Sequence, residues 1–204
     1  MEISEKLGVV AIVGFVAASL TLGASPACAV PITYTETDTA SGSLNGVAFS
    51  NATIVLSETS NTTNVTNPSS GIFENVGTVT LSINGTAPVT FTDTMAVRDV
   101  QASGFGPFAD FFDITSGLLI IAALNPAFGT YDLTTAIDIA ATASLFNGGP
   151  SFPTSGGAFI LTSVFEPTFT ATIPAVPEPN SLVILASAVA GLGFLFNRGW
   201  RRRA

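Results

Sequence analysis

Two Asn-Gly dipeptides set the frame for this chain. Asn45-Gly46 stands between Leu44 and the segment 47–49, and Asn84-Gly85 stands between the segment 77–83 and Val89 with Phe91. Both residues of such a pair tolerate the positive φ of a type I′ turn, the two-residue connection whose twist matches antiparallel strands. The flanking residues agree. Residues 32–39 read ITYTETDT, with Ile32 and Tyr34 on one face and threonines on the other, and Val79, Leu81 and Ile83 share a face. Further strands are predicted at 52–58, 108–114, 118–123, 137–143, 158–164 and 169–173, separated by Gly, Pro and Asn clusters at 67–71, 104–107, 125–129 and 147–157. Apolar residues run together at 116–124 and 133–143, but short length and frequent Thr and Ile assign both to strands. The Ser, Thr and Asn richness of 57–70 predicts a long mobile loop. About ten short strands with polar turns imply an all-β fold, an antiparallel β-sandwich of jelly-roll or immunoglobulin-like topology. Phe105, Phe108, Phe111 and Phe112 are assigned to core packing.

Residues 30–173 are long enough for one domain with a proper core. They hold eleven acids (Glu36, Asp38, Glu58, Glu74, Asp93, Asp99, Asp110, Asp113, Asp132, Asp138, Glu166) and one base, Arg98. Nucleic acid is excluded as a partner, because phosphate binding needs clustered Lys and Arg. The acidity reads as solubility and repulsion between copies, although free β edges can pair between copies. Arg98 beside Asp99 reads as a surface ion pair, with the locking of a buried carboxylate as its alternative.

Catalysis has little to work with. The chain has no histidine, no lysine after Lys6, and Cys28 as its only cysteine. Nucleophilic triads, Schiff-base chemistry and zinc sites therefore lack their groups. A glycosidase pair is the one remaining toolkit, with Asp110 and Asp113 the most visible candidates. Positions three apart on a strand face opposite sides, and acids beside turns usually face water, so the expectation is no enzyme and no cofactor. Asp93, Asp99, Asp110 and Asp113 offer the hard oxygen ligands calcium prefers, but no D-x-D-x-D-G loop is present and no metal is expected. Asn51, Asn61, Asn64 and Asn84 begin N-x-S/T triplets, which so Asn- and Thr-rich a chain produces by composition alone.

The two ends differ from this body. Residues 7–22 form an apolar run after a short polar start, and Ala27-Cys28-Ala29 is a small-residue cleavage site. Residues 1–29 read as a secretory signal helix, cut after Ala29. Cys28 as a lipidated cysteine is the rival, against which Ser25-Pro26-Ala27 lacks the leucine-like residue such sites carry. At the other end Pro177-Glu178-Pro179 precedes an uncharged run, 182–196, closed by Arg198, Arg201, Arg202 and Arg203. The run reaches about 22 Å as a helix against a hydrocarbon core of about 30 Å. A transmembrane helix at about 181–197 spans only marginally. The arginines stay cytoplasmic, which places everything before Pro177 on the far side of that membrane, with Trp200 at the interface.

Pro-Glu-Pro, a short apolar helix and a basic end together resemble the PEP-CTERM sorting signal of Gram-negative bacteria, over about residues 176–204. The resemblance implies processing by an exosortase, an integral-membrane cysteine protease or transpeptidase that cuts near the motif and discards the helix. Two prolines keep the peptide around Glu178 extended, as a protease needs. The alternative is an uncut membrane anchor. The expected organisation is thus a signal peptide (1–29), a β-sandwich body (30–173) and a sorting tail (174–204). The expected partners are signal peptidase and the exosortase during export, and the membrane through the C-terminal helix before processing. The expected route is an inner-membrane intermediate, then the cell surface or extracellular matrix. There the family resemblance implies a noncatalytic role in biofilm or exopolysaccharide architecture. A glycan-binding, lectin-like module is the alternative, with only Tyr34 and Tyr131 to stack on sugar.

Overall fold

The computed structural model describes residues 29–175; the signal segment before residue 29 and the tail from residue 176 lie outside them. Twelve antiparallel strands form one continuous sheet, a curled half-barrel. The strands are β1 (Pro31–Leu44), β2 (Val47–Asn61), β3 (Thr66–Ser69), β4 (Ile72–Ile83), β5 (Val89–Thr90), β6 (Met95–Val100), β7 (Phe108–Asp113), β8 (Leu118–Leu124), β9 (Ile137–Ala140), β10 (Ala143–Phe146), β11 (Ser151–Thr154) and β12 (Gly157–Thr172). The all-β, antiparallel expectation holds.

Both Asn-Gly turns form as predicted. Asn45 and Gly46 have φ of 50° and 77°, Asn84 and Gly85 of 52° and 71°. The first joins β1 to β2 in a ladder that runs from Leu44↔Val47 to Pro31↔Asn61. The mobile loop expected at 57–70 is a correction. Residues 57–61 complete β2, 62–64 make one 3-10 turn and 66–69 form β3, because Ser, Thr and Asn side chains bond back to the chain rather than loosening it. Two further corrections concern β12 and β11. The strands predicted at 158–164 and 169–173 are one strand bent at a bulge where Glu166 has φ 56°, and the turn region 147–157 contains β11.

β4 turns the sheet's corner. Its residues 78–83 pair with β2 and its residues 72–77 with β6. Gly77 lies at the switch, where a Cβ would come within 2.7 Å of the Glu58 carboxyl carbon. At one pole the sheet closes on itself. Phe91 bridges Thr154, Ser155 N donates to Thr90 O (2.7 Å) and Thr92 N donates to Pro153 O (3.1 Å), tying β5 to β11. Elsewhere the sheet stays open between β8 and β12, and residues 137–154 run along that opening. β9 and β11 bond to β12, whereas β10 between them bonds to β8. Pro68 stands in β3, which pairs only with β4 and so has a free side that needs no donor.

The core fills the inside of this curl. Phe49 stacks on Phe159, which meets Phe91 edge-on at the closed pole. Tyr34, Phe128, Tyr131 and Phe169 pack together at the other. The opposite face of β6–β8 carries a smaller cluster of Val100, Phe108, Ala122 and Leu124. The four phenylalanines expected in the core divide: Phe111 enters the main core and Phe108 the smaller one, Phe112 lies under Arg98, and Phe105 is 74% exposed on a loop.

Candidate functional site: a buried row of carboxyls

Strand periodicity carries acids into the core. Ile32, Tyr34, Glu36, Asp38 and Ala40 alternate along β1 and are all buried. Glu58 follows Ile54 and Leu56 on β2, and Asp99 follows Met95 and Val97 on β6. Glu36, Asp38, Glu58 and Asp99 are at most 2% exposed, and among the described residues none of their eight carboxyl oxygens has a partner in hydrogen-bond geometry, although the Val97 backbone lies near enough to Glu58 to favour its ionised form. The acidity read as surface solubility is therefore corrected. Six of the body's acids, these four with Asp110 and Asp113, are buried.

Burial without partners makes ionisation expensive. It pushes Glu58 and Asp99 each up to about 8, with the negative charges of Asp110 and Asp132 adding to the rise at Asp99 and the Val97 backbone opposing that at Glu58. Asp38 rises to about 7 by burial. Glu36 is raised well above the ordinary carboxyl range, by burial and then by Asp38 two residues along the same face. At neutral pH the interior holds mainly carboxylic acids rather than carboxylates.

Neutral polar groups beside them are fully used. Tyr34 Oη donates to Leu133 O (2.6 Å) and accepts from Asn75 Nδ2 (3.0 Å), while Ser60 Oγ donates to Asn75 Oδ1 (2.7 Å). Burial raises the Tyr34 and Tyr131 hydroxyls well above the usual phenol range. Leu133 holds a left-handed φ of 62°, which a leucine rarely adopts, and its carbonyl is the one that Tyr34 grips. Both tyrosines expected to stack on sugar are thus interior, Tyr34 at 0% and Tyr131 at 4% exposure.

Arg98 does not pair with Asp99, a correction, since consecutive strand residues face opposite ways. It grips Asp110, its cross-strand partner on β7, through Nε (3.1 Å) and Nη2 (2.6 Å), with its guanidinium 3.5 Å from the centre of the Phe112 ring. The locked buried carboxylate weighed from the sequence is the one observed. Burial raises Asp110 only to about 6, because Arg98 pulls it down. Asp110 and Asp113 do not meet as a catalytic pair. Asp113 caps the following turn, accepting from Thr115 N (2.8 Å) and Ser116 Oγ (2.6 Å). Nor do the four aspartates considered for calcium converge, with Asp99 and Asp110 on opposite faces; among the described residues no group of three or more His, Cys, Asp or Glu is placed to hold a metal ion.

Of the sorting and processing residues, Ala29 is described and exposed immediately before β1. Ala27, Pro177, Glu178, Pro179, Arg198, Arg201, Arg202 and Arg203 lie outside the described residues, as does the helix expected at about 181–197. Among the described residues no helix is long and apolar enough to cross a membrane. Sequence reasoning missed the interior carboxyls, although the same alternation that put Ile32 and Tyr34 inside also put Glu36 and Asp38 there. No protein-family model matches the chain, and neither does any curated protein or solved structure.

Proposed function

We propose that this is a noncatalytic exported protein, routed by an exosortase through its C-terminal Pro177-Glu178-Pro179 tail to the cell surface or extracellular matrix, where its β-body associates with exopolysaccharide or biofilm. The three-part tail carries the reading. Support comes from the body's own end. The body's last strand ends at Thr172, and Pro174 and Ala175 are exposed outside any ladder. Thr33 pairs with Thr172, so both processing ends leave the body side by side. For the architecture we favour a β-sandwich, because the corner strand β4 serves both halves of the curl.

The intact mass of the protein from membrane, surface and medium fractions of its host tests this. A species beginning at Val30 and ending near Pro179 is expected. A species that keeps Arg201–Arg203 in every fraction would mean a permanent anchor and would overturn the sorting route.

A further inference from the structure

A line without ladder pairing runs between β10 and β12, near two of the buried acids. On its outer side β12 pairs with β11 over residues 157–160 and with β9 over 168–171, but residues 162–166 have no ladder partner. β10 lies opposite them and spends its hydrogen bonds on β8. Three backbone bonds stitch residues 141–149 across the opening: Ala141 N to Pro167 O (2.9 Å) and Gly149 N to Leu161 O (3.2 Å) on one lip, Thr142 N to Leu124 O (2.8 Å) on the other. A surface groove already runs there, lined by Ala141–Ser144 and Val164–Pro167, with Phe165 53% exposed beside it.

The register places Asp38 at this line. β1 pairs Thr37 with Thr168 and Thr39 with Phe165, so Asp38 stands opposite the bulge Glu166–Pro167, and Glu36 pairs with Phe169. We propose that the seam between β10 and β12 is a gate that opens when the interior acids lose their protons, admitting water to Asp38 and Glu36 while the closed pole stays intact. Among the described residues an ionised carboxylate inside the curl has no cation to pair with, since Arg98 is committed to Asp110 on the other face. Hydration is its remaining compensation, and the seam, where no ladder bonds the two strands, offers water a way through the sheet.

The charged and titratable groups around this interior all act in the same direction. β1 supplies Tyr34, Glu36 and Asp38, β2 Glu58, β6 Asp99, and the 125–136 connection Tyr131 and Asp132. Asp110 and Glu74 add negative charge near Arg98 on β7 and β4. Asp113 is held in its turn. Burial and mutual repulsion both favour the protonated interior, consistent with the upward direction at both Asp38 and Glu36.

Hydrogen exchange followed by mass spectrometry on the full chain in detergent solution, from pH 5 to pH 8, tests the gate independently of the sorting route. An opening coupled to the loss of one proton grows ~10-fold per pH unit beyond the intrinsic rise in exchange rate. Residues 141–149 and 162–167 are expected to show that growth, while the β1–β2 hairpin around 41–54 keeps at least ~100-fold higher protection, a difference of ~2.7 kcal/mol in opening free energy. Asp38→Asn and Glu36→Gln keep the shape of the neutral acids and are expected to remove the growth at the seam. Seam exchange that follows the intrinsic rate alone would overturn the gate. So would seam and hairpin losing protection together with one protection factor, which is global unfolding. Growth that persists in Asp38→Asn with Glu36→Gln would also overturn it, since the trigger would lie elsewhere.

Discussion

Arg98 sits between two buried carboxyls that meet opposite fates. Asp110 faces it across the β6–β7 ladder and receives two guanidinium bonds; Asp99, its neighbour in sequence, points to the other side of the sheet and receives none. Burial is nearly the same, with both at 0% exposure, yet Asp110 is raised to about 6 and Asp99 to about 8. Partnering, more than depth, decides whether a buried acid keeps its charge near neutrality. The outer face of the sheet is a paired region, and the interior row of Glu36, Asp38, Glu58 and Asp99 is an unpaired one stabilised by protons.

The largest effect that follows is on stability against pH. An acid that holds its proton more tightly in the fold than in the unfolded chain carries no penalty below its unfolded value near 4. The penalty grows as pH rises past that value and is complete above the folded one. Each such group contributes a slope of ~1.4 kcal/mol per pH unit in its window, against a total stability of ~5–15 kcal/mol. Asp38 defines a window from about 4 to about 7, and Glu58 and Asp99 from about 4 to about 8. Unfolding free energies from urea titrations are therefore expected to fall steadily from pH 4.5 to pH 8 by several kcal/mol, with midpoints falling in parallel, and the decline should flatten in Glu58→Gln and Asp99→Asn. Midpoints that rise over this range would show that the interior acids ionise with partners and would erase the contrast with Asp110.

Next in size is removal of the shared cation. Arg98→Met keeps apolar length over Phe112 but strips Asp110 of both bonds. Breaking a buried ion pair from one side costs ~3–5 kcal/mol, and part of the Arg98 side chain remains solvated, which places the expected loss at the lower end. The comparison sharpens in the double variant with Asp110→Asn. Removing the stranded carboxylate should recover much of the loss, and in Arg98→Met alone the apparent protonation of Asp110, followed by carbon NMR of its carboxyl, should move from the paired class to that of Asp99. A loss below ~1 kcal/mol in Arg98→Met would place the pair with ordinary surface bridges.

Much of this architecture was legible, and the misses share one cause. The Asn-Gly turns were read correctly because their positive φ is a local steric demand, met by the same two residue types wherever it arises. The β1 strand followed from apolar alternation, and β8 from a short apolar run assigned to a strand by its length. β6 was missed because MAVRDV carries a charged pair at its centre, and residues 57–61 and 66–69 were read as loop because Ser, Thr and Asn look like turn formers. In each case polarity was taken as exposure. A strand pairs through its backbone whatever its side chains, and its face is set by position parity. Parity alone places Glu36 with Ile32 and Tyr34, and Glu58 with Ile54 and Leu56. The partner of Arg98 was not legible, because it depends on the β6–β7 register, which no local pattern specifies.

The smallest effect tests the neutral polar groups that share the interior with the acids. Tyr34 is cross-strand from Glu58 and is completely satisfied where Glu58 is not. Tyr34→Phe leaves the ring packing against Phe169 but removes the donor to Leu133 O and the acceptor for Asn75, which still donates to Asn61 O (3.1 Å). One buried carbonyl loses its partner, a cost of ~1–2 kcal/mol. The local consequence is sharper than the global one, because the left-handed backbone of Leu133 loses the bond that fixes its carbonyl. Exchange of the amides around residues 131–136 should accelerate by more than the global loss accounts for, while amides of β7 and β8 follow global stability alone. Equal changes in the two regions would mean that packing around the buried Leu133 side chain holds the loop, and that the interior's satisfied and unsatisfied polar groups contribute alike to its order.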